Sequence, residues 1–403
     1  MTIQRKPSDG APAPAAALTL ERHDTISAIE AEWRHLEATG VGTLFQRFDW
    51  VDAWLTHVAP HAGLSPSLLL GRLDGAPAFA LPLGIRASAG VKIVEFLGGT
   101  HAGYNFGLWS VEGAAHVAAL PRATLTRLLG EALAADCAVL RRVPAAHDGM
   151  PQPLAALSAL PSPVSGYSAS LEGGMEGLLA RSSGGARRRR ANQKERRLCE
   201  MGVLQLGPTT AADAALDFFA EHKAQRLTEQ GLHNVFAEPG TMDFLRELAR
   251  RSAATAEPLL EMSTLDVDGR TRAVIGSGFH RGRAALQILT YAHDETLPHS
   301  PGQLLMYRHI EHCADAGCAT FDFGIGSEGY KDAWSDTVHP LFDHHVAFTA
   351  RGALAIAAMR FAEGAKARLR GNALARRLLG KSDAGKAQDR SKGQDRGKEQ
   401  DGE

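Results

Sequence analysis

The segment Ala284–Trp334 constrains this chain more than any other. Ala284–Ala292 is rich in apolar and aromatic residues and predicts a strand. A polar loop, HDETLPHS, leads to Ser300-Pro301-Gly302, where Ser300 can cap a helix and Pro301 takes its first position. Met306, Ile310, Cys313 and Ala314 then repeat at helical spacing, and Gly317 ends the helix. Thr320–Phe323 alternates polar and aromatic residues as a second strand. Uncapped amides at a helix start attract phosphate or another anion. Strand, anion-ready helix start and strand together form a place to hold a pyrophosphate.

Gly324, Gly326 and Gly329 spell a literal GxGxxG after that second strand. A dinucleotide site would need a helix opening inside the motif, a further strand and an acid about 20 residues on. Here the motif runs into YKDAWSDTVHP, and Pro340 stops any long helix. The glycines instead let the backbone turn sharply and approach a ligand.

The same design occurs twice. Ser67–Leu73, Asp74-Gly75 and Pro77–Ile85 predict a hairpin, with Val91–Leu97 as a further strand. Glu261–Val267, Asp268-Gly269 and Thr271–His280 repeat the pattern 194 positions later, before Arg281-Gly282 and the strand at 284. This suggests an internal duplication. Helices are expected at Ile26–Thr39, with Ile29, Trp33 and Leu36 inward, around Trp50 and Trp54, and over 178–201. Ser165–Leu171 is a strand near the junction of the halves.

Composition allows two domains in 403 residues, on a prior of about 100–200 residues each. A net charge of −1 gives no global pull toward nucleic acid or membrane, so electrostatic partners must meet local patches. Two such patches exist. Arg181–Arg197 carries eight basic residues against one acid, and its run of four arginines calls for an anionic neighbour. Residues 353–379 carry Arg360, Lys366, Arg368, Arg370, Arg376 and Arg377 against Glu363. A basic amphipathic helix of this kind can lie on an anionic membrane surface, or it packs on the catalytic domain. The four cysteines form no CxxC pair, and no His, Cys and acid pattern supports a metal site. With no signal-length apolar core and no run of about 18 apolar residues, a cytoplasmic protein is expected, with a peripheral contact at the inner membrane face through 353–379.

SPGQLLMYRHIEHCADAG followed by FDFGIGSEGYK resembles the acetyltransferase group named after the cellulose-biosynthesis protein CelD, within the GNAT superfamily and related to the Fem aminoacyltransferases. Phe48-Asp49-Trp50 with Trp54, LGGTHAGYNFGLW at 97–109 and the basic helix before Met201-Gly202 fit the same group, so the resemblance spans about 20–345. It implies an α/β fold with a mixed sheet, in a GNAT-like half at 18–165 and a GNAT-like acetyltransferase half at 166–346; composition adds a disordered 1–17, a basic helical extension at 347–380 and a disordered tail at 381–403. It implies acyl transfer from acetyl-CoA to an amine-bearing acceptor, small or saccharide-linked, with an association to cellulose or exopolysaccharide production and no metal.

GNAT-type transfer needs an anchored pyrophosphate, a polarised carbonyl and an amine freed of its proton. By resemblance these fall to Ser300, Gly302 and Gln303 at the helix start, to the strand with Gln287, Leu289 and Tyr291, and to Asp322, Glu328, Tyr330 and Lys331. His293 is a further base candidate. Gly98–Asn105, with His101 and Tyr104, could line an acceptor pocket between the halves or be a structural turn. The usual pyrophosphate loop, Gln/Arg-x-x-Gly-x-Gly/Ala, is absent between 292 and 303. Fem relatives use an aminoacyl-tRNA donor on this scaffold, which leaves that donor as the alternative. A non-catalytic accessory protein of a polysaccharide synthase is the other.

Overall fold

The computed structural model describes residues 17–181, 184–253, 255–326 and 329–371. They divide into one unit through Gly352 and a second from Ala353. The first half of the larger unit runs β1 (Leu18–His23), α1 (Glu30–Thr39), α2 (Phe48–His57), β2 (Leu68–Leu73), β3 (Ala76–Leu81), β4 (Leu83–Ser88) and β5 (Val91–Phe96). It continues with α3 (Val111–Ala119), α4 (Arg122–Leu133), β6 (Cys137–Pro144) and β7 (Ala159–Ser170). The second half runs α5 (Gly174–Arg181), α6 (Gly184–Cys199), β8 (Leu204–Pro208), α7 (Ala212–Glu229), α8 (Thr241–Ser252), β9 (Glu261–Val267), β10 (Arg270–His280) and β11 (Arg283–Tyr291). It closes with α9 (Pro301–Asp315), β12 (Thr320–Ile325), α10 (Gly329–Trp334) and β13 (Thr337–Ala347), and α11 (Ala350–Gly371) leads into the second unit.

Matching turns make the halves alike. Asp74-Gly75 and Asp268-Gly269 both have two successive residues at positive φ, 50° and 84° in one and 49° and 69° in the other. That hand of turn matches the twist of a hairpin. Each turn aspartate also accepts the backbone N–H just before its half's first strand: Ala17 N to Asp74 at 2.8 Å, and Val203 N to Asp268 at 2.7 Å. The likeness of the two hairpins therefore extends to side-chain chemistry.

The expected hairpin arm over Pro77–Ile85 is broken. Pro82 offers no N–H to a ladder, and its carbonyl instead accepts from Leu97 N. β3 stays in a four-stranded sheet with β1, β2 and Leu108–Trp109, while β4 enters the main sheet. The single helix expected over 178–201 is likewise two, α5 and α6. The expected disorder at 1–17 and 381–403 lies outside the described residues except for Ala17, as does the part of the basic extension beyond Gly371.

Among the described residues the main sheet has eleven strands in the order β8-β9-β10-β11-β12-β7-β13-β6-β5-β4, ending on Ser65–Pro66. The halves exchange their last strands. β7 of the first pairs with β12, and β13 of the second pairs with β6, while β7 and β13 pair with each other. The exchange covers the edge each half would otherwise expose. The expected boundary at 165/166 falls inside β7. One apolar core also crosses the halves, with Trp50 and Trp54 of α2 packed among Phe244, Leu248 and Ile288. Trp50 meets Phe244 edge-on, 5.2 Å between ring centroids.

Candidate active site

β11 and β12 run parallel but pair only at Arg283–Ala285 with Thr320–Asp322. Beyond that point they diverge. A cause lies on the other side of β11, where the ladder with β10 shifts register between Gly276 and Ser277. A bulge bends its strand and raises local twist. Gln287 sits opposite the shift and donates its side-chain N–H to Leu259 O at 2.6 Å. The first half repeats the divergence, since β5 and β6 pair only at Ile93–Val94 with Cys137–Ala138.

At the open end of the cleft, α9 begins with Pro301 in its first turn, as its sequence predicts. Ser300 does not cap it. Its backbone is left-handed, φ 52° and ψ 60°, whereas a capping serine is extended, and its side chain makes no cap bond. Ser300 O instead accepts from Gln303 N and Leu304 N at 3.0 and 3.2 Å. Gly302 is buried, and a Cβ there would lie 2.6 Å from the Tyr291 ring, so glycine is needed for α9 to seat on the end of β11. Leu289 and Tyr291 are partly buried on that same face. Arg226 lies over the Tyr291 ring at 5.5 Å, and His293 stacks on it at 5.7 Å.

The basic helix α6 runs alongside. Lys194 Nζ donates to Gln303 Oε1, and Arg187 lies 4.2 Å over the Trp334 ring while donating to Ala333 O. Burial, and then Arg190, push the Lys194 ammonium and the Arg187 guanidinium below their ordinary ranges. An anion at the start of α9 would relieve that repulsion.

Asp322 stands at the closed end, 2% exposed. Its Oδ1 accepts from Tyr104 of the first half at 2.9 Å and from Gly324 N at 2.8 Å, and Arg283 Nη1 approaches Oδ2 at 3.8 Å. Burial raises its pKa, and Arg283 opposes that most strongly. Burial also drives the Tyr104 phenol well above its usual range and keeps His339 below its own. His339 Nε2 lies 2.7 Å from Ser168 Oγ. Beside Asp322 is a small cavity of about 10 Å3, the room of one water, lined by Tyr104, His147, His280, Arg283 and Ala285 among others. A buried carboxylate of raised pKa beside a phenol and a guanidinium can hold or release a proton.

Lys331 is 3% exposed and donates from Nζ to Ile325 O, at the open end of β12. Tyr330 packs half-buried next to it. Glu328 lies outside the described residues. The sequence-predicted residues thus separate into Asp322 at the closed end and Ser300, Gly302, Gln303, Tyr291 and Lys331 at the open end. Arg283, His339 and the specific pairing of Tyr104 with Asp322 escape sequence reasoning, because Tyr104 and Asp322 are 218 positions apart. Tyr104→Phe is expected to destabilise the fold by about 1–3 kcal/mol, since a buried carboxylate loses a donor. Denaturant unfolding checks this, and an unchanged midpoint would contradict it.

Residues 185–332 match the family model described as acetyltransferase (GNAT) domain. No curated protein sequence matches the chain significantly. Among solved structures, the chain is similar to FemX at 11% identity, covering 81% of this chain and 96% of that one, with a TM-score of 0.54. It is also similar to a conserved protein of unknown function from Bacteroides thetaiotaomicron at 10% identity, covering 81% and 100%, TM-score 0.53. A third is the C-terminal domain of a putative lysylphosphatidylglycerol synthetase from Agrobacterium fabrum, 11% identical over 82% and 96%, TM-score 0.49. The chain is a mixed α/β protein of the GNAT fold whose residues 185–332 match the acetyltransferase (GNAT) family model.

Proposed function

We propose that this protein is an N-acyltransferase that moves an acyl group, acetyl in the first instance, from acyl-CoA to an amine-bearing acceptor. The observation that carries the reading is the divergence of β11 from β12 beside the α9 start and the basic helix α6. Backbone amides of β11 beyond Ala285 would polarise the thioester carbonyl. The α9 start at Ser300, Gly302 and Gln303, with Lys194 against it, would receive the phosphates. The amine lone pair attacks the carbonyl carbon, the carbon–sulfur bond breaks, and the pair leaves on sulfur. Asp322 takes the amine proton, and Lys331, with Tyr330 beside it, faces the developing oxyanion. The resemblance to the CelD group associates the protein with cellulose or exopolysaccharide production without identifying the acceptor, and we assign the reaction to the cytoplasm.

Transfer from aminoacyl-tRNA is the second reading. It is favoured by the exposed arginines Arg188, Arg189, Arg190, Arg196 and Arg197 along α6, more positive charge than one coenzyme requires.

Calorimetric titration with acetyl-CoA separates the two. Micromolar binding that weakens about tenfold or more in Lys194→Glu or Gln303→Glu is expected for the first. Absence of binding, with turnover dependent on charged tRNA, would transfer the assignment to the second.

A further inference from the structure

We propose that α11 docks this protein flat on an anionic lipid surface. Leu354 is 72% and Phe361 80% exposed. They stand seven residues apart, two helical turns, and so share one stripe of the helix. Ala357, Ala358 and Ala365, all exposed, fall on the same stripe, while Ile356 on the opposite side is buried. Together these residues make an apolar stripe with no carboxylate on it.

Charge selects the occupant. Across 350–380 stand Arg351, Arg360, Lys366, Arg368, Arg370, Arg376 and Arg377, against Glu363. An apolar protein groove would leave this excess unmatched. A soluble polyanion would match it but would have no use for Leu354 and Phe361. Anionic headgroups take the cations while the acyl boundary takes the apolar stripe. No helix of the described residues is long and apolar enough to cross a membrane, so the contact lies in the plane of the surface. This inference is independent of which acyl donor is used.

The test is co-sedimentation of the full chain with phosphatidylcholine vesicles containing phosphatidylglycerol, against phosphatidylcholine alone. Retention on the anionic vesicles only, weakening with salt, is expected. The double variant Leu354→Glu/Phe361→Glu should lose about a hundredfold in affinity, because both side chains that enter the acyl boundary are replaced by anions. Arg189→Glu/Arg190→Glu on α6 should bind as the parent does. Circular dichroism checks that both variants keep the parent's helix content. Failure of the full chain to pellet would overturn the proposal. So would parental binding by the Leu354/Phe361 variant, or a loss confined to the α6 variant.

Discussion

Acidification from about pH 6.5 to about pH 4 is expected to remove roughly 3 kcal/mol of folding stability through one side chain, His309. It lies on α9, 1% exposed, with Nδ1 3.1 Å from Ser263 Oγ and Nε2 2.9 Å from Ser277 Oγ. Phe321 meets its ring edge-on at 6.0 Å. Serine hydroxyls can rotate to serve both nitrogens of a neutral imidazole. Burial first, and the neighbouring His312 second, push His309 down to about 4 from 6.5. The unfolded chain therefore takes up a proton over that window while the folded chain does not, so stability falls as pH falls and the loss is complete below the folded value. His147, also held down to about 4 by burial, acts in the same direction. The diagnostic quantity is the difference between the parent and His309→Leu in urea unfolding across this range. The variant should have a flatter profile, and parallel profiles would refute the assignment.

Lys331→Met is expected to lower acyl transfer by about 10²–10³-fold, the usual consequence of losing a group that stabilises a developing oxyanion. Methionine keeps most of the stem's volume, so the packing around this buried position survives. The charge does not. With Nζ held at Ile325 O, the ammonium sits where the diverged strands are farthest from their last shared pair. Thiol release from acetyl-CoA in the presence of a panel of primary amines measures the rate, and titration measures donor affinity. A fall in rate with affinity retained is the expected pattern. Parental rates in Lys331→Met would remove the residue from the chemistry. Asp332→Asn, one position on and exposed, serves as the control.

Much of the fold is legible in the sequence because its signals are short-ranged. The two Asp-Gly turns declare themselves by residue type, since both positions need the left-handed region and hairpins favour that turn. Ile29 just before α1, and Trp33 and Leu36 on it, follow from helical spacing, and all three are buried. Pro301 marks the start of α9 and Gly317, at φ 84°, follows its end. The parallel β11 and β12 on either side of α9 follow from the order strand, helix, strand.

What the sequence left undetermined depends on contacts between distant positions. Pro82 lies in an apolar run that looks continuous, and only the two sheets competing for its ends show why it breaks. Gly302 looks suited to a phosphate, yet the Tyr291 ring is what requires a residue without a Cβ. The Tyr104–Asp322 bond and the exchange of β7 with β13 depend on how two sheets meet. Local physics, turn dihedrals and the helical period, determined the elements, and the family resemblance pointed to the cleft between β11 and β12. Tertiary packing alone decided which half supplies the groups at its closed end, because a buried carboxylate takes whatever donors the fold brings to it.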